Sequence, residues 1–294
     1  MDYYIIIPAH NEESFLADTL NSVQRQSLPP KKVVIVNDNS TDGTESIIDD
    51  FVKGSSLFEK LNSISSTDHL PGRKVINAFN KALETLDETY DFLVKLDADI
   101  ILPKTYFESI AEIFKTQPEV GIAGGFAYER DSNGVWKLNH PMNKDHVRGA
   151  FKAYSKACFI AINGLKNAIG WDTVDELLAQ YHGFKIFTEE TLKVKHLRPT
   201  GKAYNKKARL LQGEAMYTMG YGIVLSSIAS LKMALKQQNP NVFFHNLRGF
   251  FKAKKTKKSY LISEKEAKFI RRLRWKNVRN KFFRHYPDKC VNSN

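Results

Sequence analysis

The chain of 294 residues is 42% hydrophobic and carries 44 Lys+Arg against 32 Asp+Glu, a formal charge of +12. That balance excludes a disordered or collagen-like chain, and the length suits one large α/β domain with an appendage, or two domains. The charge is unevenly spread: residues 1–200 hold 22 Lys+Arg and 28 Asp+Glu, a net −6, whereas residues 201–294 hold 22 and 4, a net +18. A basic tail on an acidic body points to a polyanionic partner, nucleic acid or an anionic membrane surface. Cys158 and Cys290 cannot make a zinc site by themselves and lie far apart in the chain, so a reduced, cytosol-facing thiol pair is expected. The opening Met-Asp-Tyr-Tyr lacks the basic stretch of a signal peptide, so export is not expected.

Tyr3 to Pro8 is a continuous β-branched and aromatic run, the pattern of a strand buried on both faces of a parallel sheet. From Asn11 to Val23 the spacing predicts a helix, with Phe15, Leu16, Thr19, Leu20 and Val23 on one face. Leu28-Pro-Pro ends it, and Val33 to Val36 is a second apolar strand. Asn37-Asp-Asn-Ser-Thr-Asp-Gly-Thr reads as a loop, with Ser40 or Thr41 placed to cap a helix from Glu45 to Val52. A helix from Lys74 to Leu86 and a strand from Phe92 to Leu96 complete a second β-α-β unit. Val120 to Ala123, closed by Gly124-Gly125, and Lys185 to Val194 read as further strands. The alternation predicts an α/β fold on an open, mostly parallel sheet, which binds ligands beyond the carboxyl ends of its strands.

Polar clusters fall at three of those ends: Pro8-Ala-His-Asn-Glu-Glu, Asn37-Asp-Asn-Ser, and Asp97-Ala-Asp99. Asp97 and Asp99, separated by the small Ala98, are spaced to reach one hard divalent cation, Mg²⁺ or Mn²⁺. A cation held by so few carboxylates keeps room for substrate phosphates, which suits a nucleoside diphosphate.

Ile6-Ile-Pro-Ala-His-Asn-Glu-Glu, Val36-Asn-Asp-Asn-Ser-Thr-Asp-Gly-Thr, Gly72-Arg73 ahead of Asn77 and Asn80, and Asp97-Ala-Asp99 together resemble a family-2 glycosyltransferase of the GT-A fold. The resemblance covers residues 1 to about 200. It implies a nucleotide-sugar donor, with Pro8, Ala9, Glu12 and Asp38 lining the nucleotide pocket and Arg73 at the base or phosphates. It places Asp97 and Ala98 at the donor, Asp97 also at the metal, Asp99 on the metal directly, and His196 as a third metal ligand. Arg198, two residues on, would contact diphosphate oxygens in bidentate fashion.

An inverting transfer needs one carboxylate to take the acceptor hydroxyl's proton while cations stabilise the departing diphosphate. The region Ile169-Gly-Trp-Asp172-Thr-Val-Asp175-Glu176-Leu resembles the family's base-bearing segment but departs from its usual Glu-Asp pair. Asp175 is the preferred base, with Asp172 and Glu176 as alternatives, and Trp171 is an acceptor platform able to stack on a sugar. The segment from His140 to Arg148 is expected on the acceptor side.

Residues 201–294 are expected to form a basic helical extension beyond a catalytic domain of residues 1–200. Ala215 to Leu231 is uncharged but short and polar for a membrane crossing, so it either packs on the body or lies in the interface with Tyr217 and Tyr221 at headgroup level. Lys252 to Lys258 is polybasic, and Ser263-Glu-Lys-Glu266 opens a helix mixing Phe269, Ile270, Leu273, Phe282 and Phe283 with basic residues. That mixture fits a peripheral helix on an anionic leaflet, and no nucleic-acid recognition motif accompanies it. The expectation is a metal-dependent inverting glycosyltransferase acting on a lipid-linked saccharide at the cytosolic membrane surface, or in the cytoplasm if the tail is not membrane-bound. The rivals are a nucleotidyltransferase on a related sheet and a non-catalytic membrane- or nucleic-acid-binding module.

Overall fold

The computed structural model describes residues 1–64, 72–139, 146–198 and 206–283. Cys290, Gly201 and most of the expected acceptor-side segment (140–145) lie outside them. The chain divides into two compact units, Met1–Lys202 and Ala203–Asn294.

In the first unit, β1 (Tyr3–Ala9), β2 (Lys32–Asp38), β3 (Phe58–Ser63) and β4 (Phe92–Leu96) form a parallel block. Helices α1 (Leu16–Gln24), α2 (Thr44–Gly54) and α3 (Arg73–Leu83) connect these strands. The chain continues through β5 (Ile100–Ile101), α4 (Tyr106–Thr116), β6 (Val120–Arg130), β7 (Trp136–Leu138) and β8 (Phe151–Ser155). Helices α5 (Lys156–Ala161) and α6 (Trp171–Tyr181) then lead to β9 (Lys185–His196). All nine strands make one sheet in the order β3-β2-β1-β4-β8-β6-β9-β5, with β7 on β6. β8 runs antiparallel to β4 and β6, and β6 pairs β9 in parallel.

β1 is central, and Tyr3 to Ile7 are buried throughout, as an apolar run flanked by strands on both sides requires. The Tyr3 ring stacks on Phe92 at 4.5 Å, and its hydroxyl donates to the Leu28 carbonyl at 2.6 Å, so the polar tip of a buried aromatic is satisfied. Registers Ala9↔Asn37 and Ile6↔Lys95 bring the carboxyl ends of β1, β2 and β4 side by side.

Three local expectations change. The α2 N-cap position is Gly43, not Ser40 or Thr41; Thr44 N donates to Asp42 Oδ1 at 3.0 Å, while Ser40 Oγ accepts from Asn11 N at 3.2 Å. β6 does not stop at Gly124-Gly125 but runs to Arg130. A Cβ on Gly124 would lie 2.3 Å from Val147 and one on Gly125 2.3 Å from the Leu192 carbonyl, so these glycines admit close neighbours within the strand. β3 was not expected, because Phe-Glu-Lys-Leu-Asn-Ser lacks an apolar run, and only Phe58 and Ser63 of it are buried.

The second unit contains α7 (Lys206–Thr218), α8 (Gly222–Lys236), α9 (Asn241–Lys255) and α10 (Glu264–Phe283). α7 and α9 cross at two reciprocal glycines: a Cβ on Gly213 would sit 1.8 Å from the Asn246 carbonyl, and one on Gly249 1.9 Å from the Leu210 carbonyl. The Ser263–Glu266 capping box forms, with Ser263 N donating to Glu266 Oε2 at 2.6 Å and Glu266 N to Ser263 Oγ at 3.3 Å. The uncharged run from Ala215 to Leu231 is broken at Gly220 (φ 70°) between α7 and α8. Tyr217 and Tyr221 both make packing contacts inside this unit. Tyr217 meets Phe250 edge-on at 5.5 Å, and buried Tyr221 lies under Arg274. Among the described residues no helix is long and apolar enough to cross a membrane.

Candidate active site

The polar ends of β1, β2 and β4 enclose a cavity of about 350 Å³ in the first unit. Pro8, Ala9 and Glu12 line it from the end of β1, Asp38 from β2, and Asp97, Ala98 and Asp99 from beyond β4. Arg198 lines it from the segment after β9. Loops tie these pieces together: Glu12 N donates to Thr44 Oγ1 at 2.7 Å, and His10 Nδ1 to the Asp38 carbonyl at 2.7 Å. His10 also lines this cavity and went unassigned in the sequence reading.

Arg73 is not brought into the cavity. It is exposed, its Nε donates to the Asn167 carbonyl at 3.5 Å, and the cation supplied there by α3 is Lys74. Adjacent helix positions point about 100° apart, so the rotation of α3 decides between the two, and one-dimensional spacing does not reveal that rotation.

A second cavity, of about 250 Å³, shares Gly72, Val75 and Asp97 with the first. Its other walls include Lys95, Trp171, Asp172 and His196. Gly170 starts α6 at φ 76°, a conformation costly for residues with a side chain, and Trp171 and Asp172 follow at the cavity edge. Trp171 is buried, with Lys95 5.2 Å and Lys152 5.9 Å from its ring centre.

The three carboxylates of α6 have different surroundings. Asp175 is 1% exposed and lines neither cavity; its oxygens accept from Lys152 Nζ at 2.9 and 3.1 Å and from the Tyr154 hydroxyl at 2.5 Å. Glu176 accepts from Val147 N at 2.9 Å, faces His146 Nδ1 at 2.9 Å, and pairs with Lys152 at 2.9 Å. Burial opposes ionisation of Glu176, but the charges of Lys152 and His146 outweigh it and hold this carboxyl low. Lys152 Nζ also donates to the Asp172 carbonyl at 2.5 Å, fixing the backbone of the acid that does line a cavity. Of the three carboxylates offered as base, the preferred Asp175 is thus sealed inside an ion-paired network, and the alternative Asp172 is the one that lines a cavity.

The acidic cluster is balanced by cations. Arg198 donates to Glu12 Oε2 at 2.5 Å and lies 3.9 Å from Asp99 Oδ2, and Lys95 pairs with Asp97. His196 Nε2 is 3.4 Å from Asp99 Oδ2, and Nδ1 is 3.7 Å from Glu129 Oε1. Burial alone would lower the His196 pKa, but the hydrogen bond to Asp99 and the surrounding carboxylates raise it. Burial pushes the Glu12 carboxyl up to about 7 against the pull of Arg198. Among the described residues, no three His, Cys, Asp or Glu side chains converge as a ready-made metal cage. Asp97, Asp99 and His196 nevertheless offer oxygen and imidazole donors of the kinds that Mg²⁺ and Mn²⁺ accept, and substrate phosphates commonly complete such sites.

Residues 4–209 match the family described as glycosyl transferase family 2. The chain belongs to that family. Its membership sets aside the nucleotidyltransferase and the non-catalytic module as readings of the first unit. The chain is 28% identical over 180 residues to the poly-beta-1,6-N-acetyl-D-glucosamine synthase of Staphylococcus epidermidis, covering 57% of this chain and 41% of that protein. It is 26% identical over 130 residues to the synthase of that name from Staphylococcus aureus, covering 44% and 29%. The chain thus spans less than half the length of these curated relatives. Solved structures of similar fold include S. aureus TarS 1-349 with UDP-GlcNAc, at TM-score 0.54 and 19% identity, covering 74% of this chain and 67% of that one. The mannosyltransferase PcManGT from Pyrobaculum calidifontis with GDP-Man and Mn²⁺ superposes at TM-score 0.56 and 16% identity, covering 97% and 80%.

Proposed function

We propose that this family-2 glycosyltransferase moves a sugar, with inversion, from a nucleotide-sugar donor to a saccharide acceptor that is lipid-linked and presented at the cytosolic surface of a membrane. The observation that carries the reading is the shared wall at Asp97: one cavity bears the acids and cations a nucleotide diphosphate needs, and its neighbour bears Asp172. Asp38 accepts hydrogen bonds from the base, while Lys74 and Arg198 meet the diphosphate. The sugar then reaches the shared wall, and Asp172 takes the proton of an acceptor hydroxyl attacking from the second cavity. Trp171 borders the acceptor, and the Lys152–Asp175–Glu176 network keeps α6 in place.

Asp97, Asp99 and His196 would hold Mg²⁺ or Mn²⁺, which when bound supplies positive charge to the departing diphosphate. Arg198 is drawn from Glu12 and Asp99 towards phosphate as the donor enters. Support comes from the nucleotide sugars in the complexes of TarS and PcManGT, the Mn²⁺ in the latter, and the saccharide polymer for which the relatives are named. The net +18 of residues 201–294 supports retention on anionic lipid, at about 1 kcal/mol for each Lys or Arg near the surface.

The test is a thermal-shift screen of the full-length chain with UDP-, GDP- and dTDP-sugars, with and without Mn²⁺, followed by transfer assays with the donor found. The true donor raises the melting temperature most when metal is present. Asp99→Ala is expected to abolish metal-dependent transfer; full transfer by that variant would overturn the metal-dependent reading.

A further inference from the structure

The apolar residues of α8 fall on two sides. Leu225 and Ala234 are buried, but Val224, Ile228, Leu231 and Leu235 are 56, 37, 51 and 69% exposed. Their spacing of i, i+4, i+7 and i+11 makes them a single outward stripe. On α9, which packs against α8, Phe244 and Phe251 stand one heptad apart and are 65 and 51% exposed. Arg248, Lys252 and Lys255 are exposed and follow these phenylalanines at helical spacing. The α8 stripe by itself is four large apolar residues long, and apolar exposure of this kind marks an interaction surface.

One side of α10, the helix expected from sequence to meet lipid, is committed elsewhere: Ala267 and Ile270 are buried, and Arg271 donates to the Gly220 carbonyl at 2.8 Å. Its other side exposes Arg272, Lys276 and Arg279 but, among the described residues, one large apolar side chain, Trp275 at 40%, against four on α8. We propose that the outward faces of α8 and α9, and not α10, are what enters an anionic leaflet. Val224, Ile228, Leu231, Leu235, Phe244 and Phe251 lie among acyl chains, with Arg248, Lys252 and Lys255 at the lipid phosphates. Charge selects this occupant over a second copy of the chain. Neither α8 nor α9 contains an acidic residue, so a self-association through these faces brings like charges together, whereas phosphate headgroups neutralise them. The inference rests on the membrane location proposed above and adds which face makes the contact.

Full-length protein is sedimented with vesicles of phosphatidylcholine, alone or with phosphatidylglycerol. The native chain is expected to bind only the anionic vesicles. Leu231→Glu with Leu235→Glu should weaken that binding at least tenfold, at unchanged melting temperature and unchanged donor-induced thermal shift, because both side chains are exposed in the folded chain. Lys265→Gln with Lys276→Gln on α10 should change it about twofold at most. Loss in the α10 variant with full binding by the α8 variant would overturn the assignment of the face while leaving the membrane location standing. A native chain that ignores anionic vesicles would overturn both. A concentration-dependent dimer by light scattering, dissolved by the α8 substitutions in a chain that ignores vesicles, would assign the face to a second copy instead.

Discussion

Asp172 and Asp175 lie on the same helix and meet opposite conditions. Asp172 borders a cavity, whereas Asp175 is enclosed with Lys152 and Tyr154. Asp172→Asn is expected to lower kcat by on the order of 10²–10⁴, the usual worth of a positioned base, with donor-induced thermal shift intact. Asp175→Ala removes a partner from a buried ion pair and should cost about 3–5 kcal/mol in urea unfolding, lowering activity only through loss of folded protein. Equal kinetic loss in both variants, at native stability, would contradict the division of roles. The acids Glu12, Asp38, Asp97 and Asp99 stand out in the sequence because they fall at or just beyond the ends of buried apolar strands, and all four line the same cavity. Lys152 was not legible, since it sits within β8 and its partners, Asp175 and Glu176, are brought to it from α6 by the fold.

At the scale of elements, β1, β2 and β4 announce themselves through uninterrupted apolar residues, as strands covered on both faces must. Edge strand β3 carries no such signal because most of its side chains are not buried. In the second unit, the sequence shows apolar and basic residues on helices, but which stripe packs inward depends on neighbours it does not specify. The α7–α9 crossing shows how specific that packing is. Gly249→Ala would force its new Cβ away from the Leu210 carbonyl and separate the two helices. The expected cost is about 1–3 kcal/mol, read from urea unfolding of the full chain by circular dichroism.

Over the whole molecule, charge is segregated along the chain, −6 in residues 1–200 and +18 in residues 201–294. The acidic portion holds the carboxylates proposed above for metal and proton chemistry, and the basic portion belongs to the unit proposed to meet lipid. Binding to anionic vesicles is therefore expected to weaken as salt rises from 0.1 to 1 M, where the screening length shrinks from about 10 to about 3 Å. It should not vanish entirely, because the exposed stripe on α8 contributes burial that salt does not screen. Complete, salt-insensitive binding would contradict the electrostatic part of the model of attachment.

The sequence by itself determined the α/β class, the three acidic strand ends, the family resemblance and the division of charge. Each of these is written in local order: runs of apolar residues, short motifs and composition. Tertiary structure decided which of three carboxylates on α6 borders a cavity, that Lys74 and not Arg73 lines the cavity at the strand ends, and which helix face of the basic unit stays exposed. Those outcomes depend on the rotation of each helix about its axis and on partners distant in the chain, and both are fixed only when the elements pack.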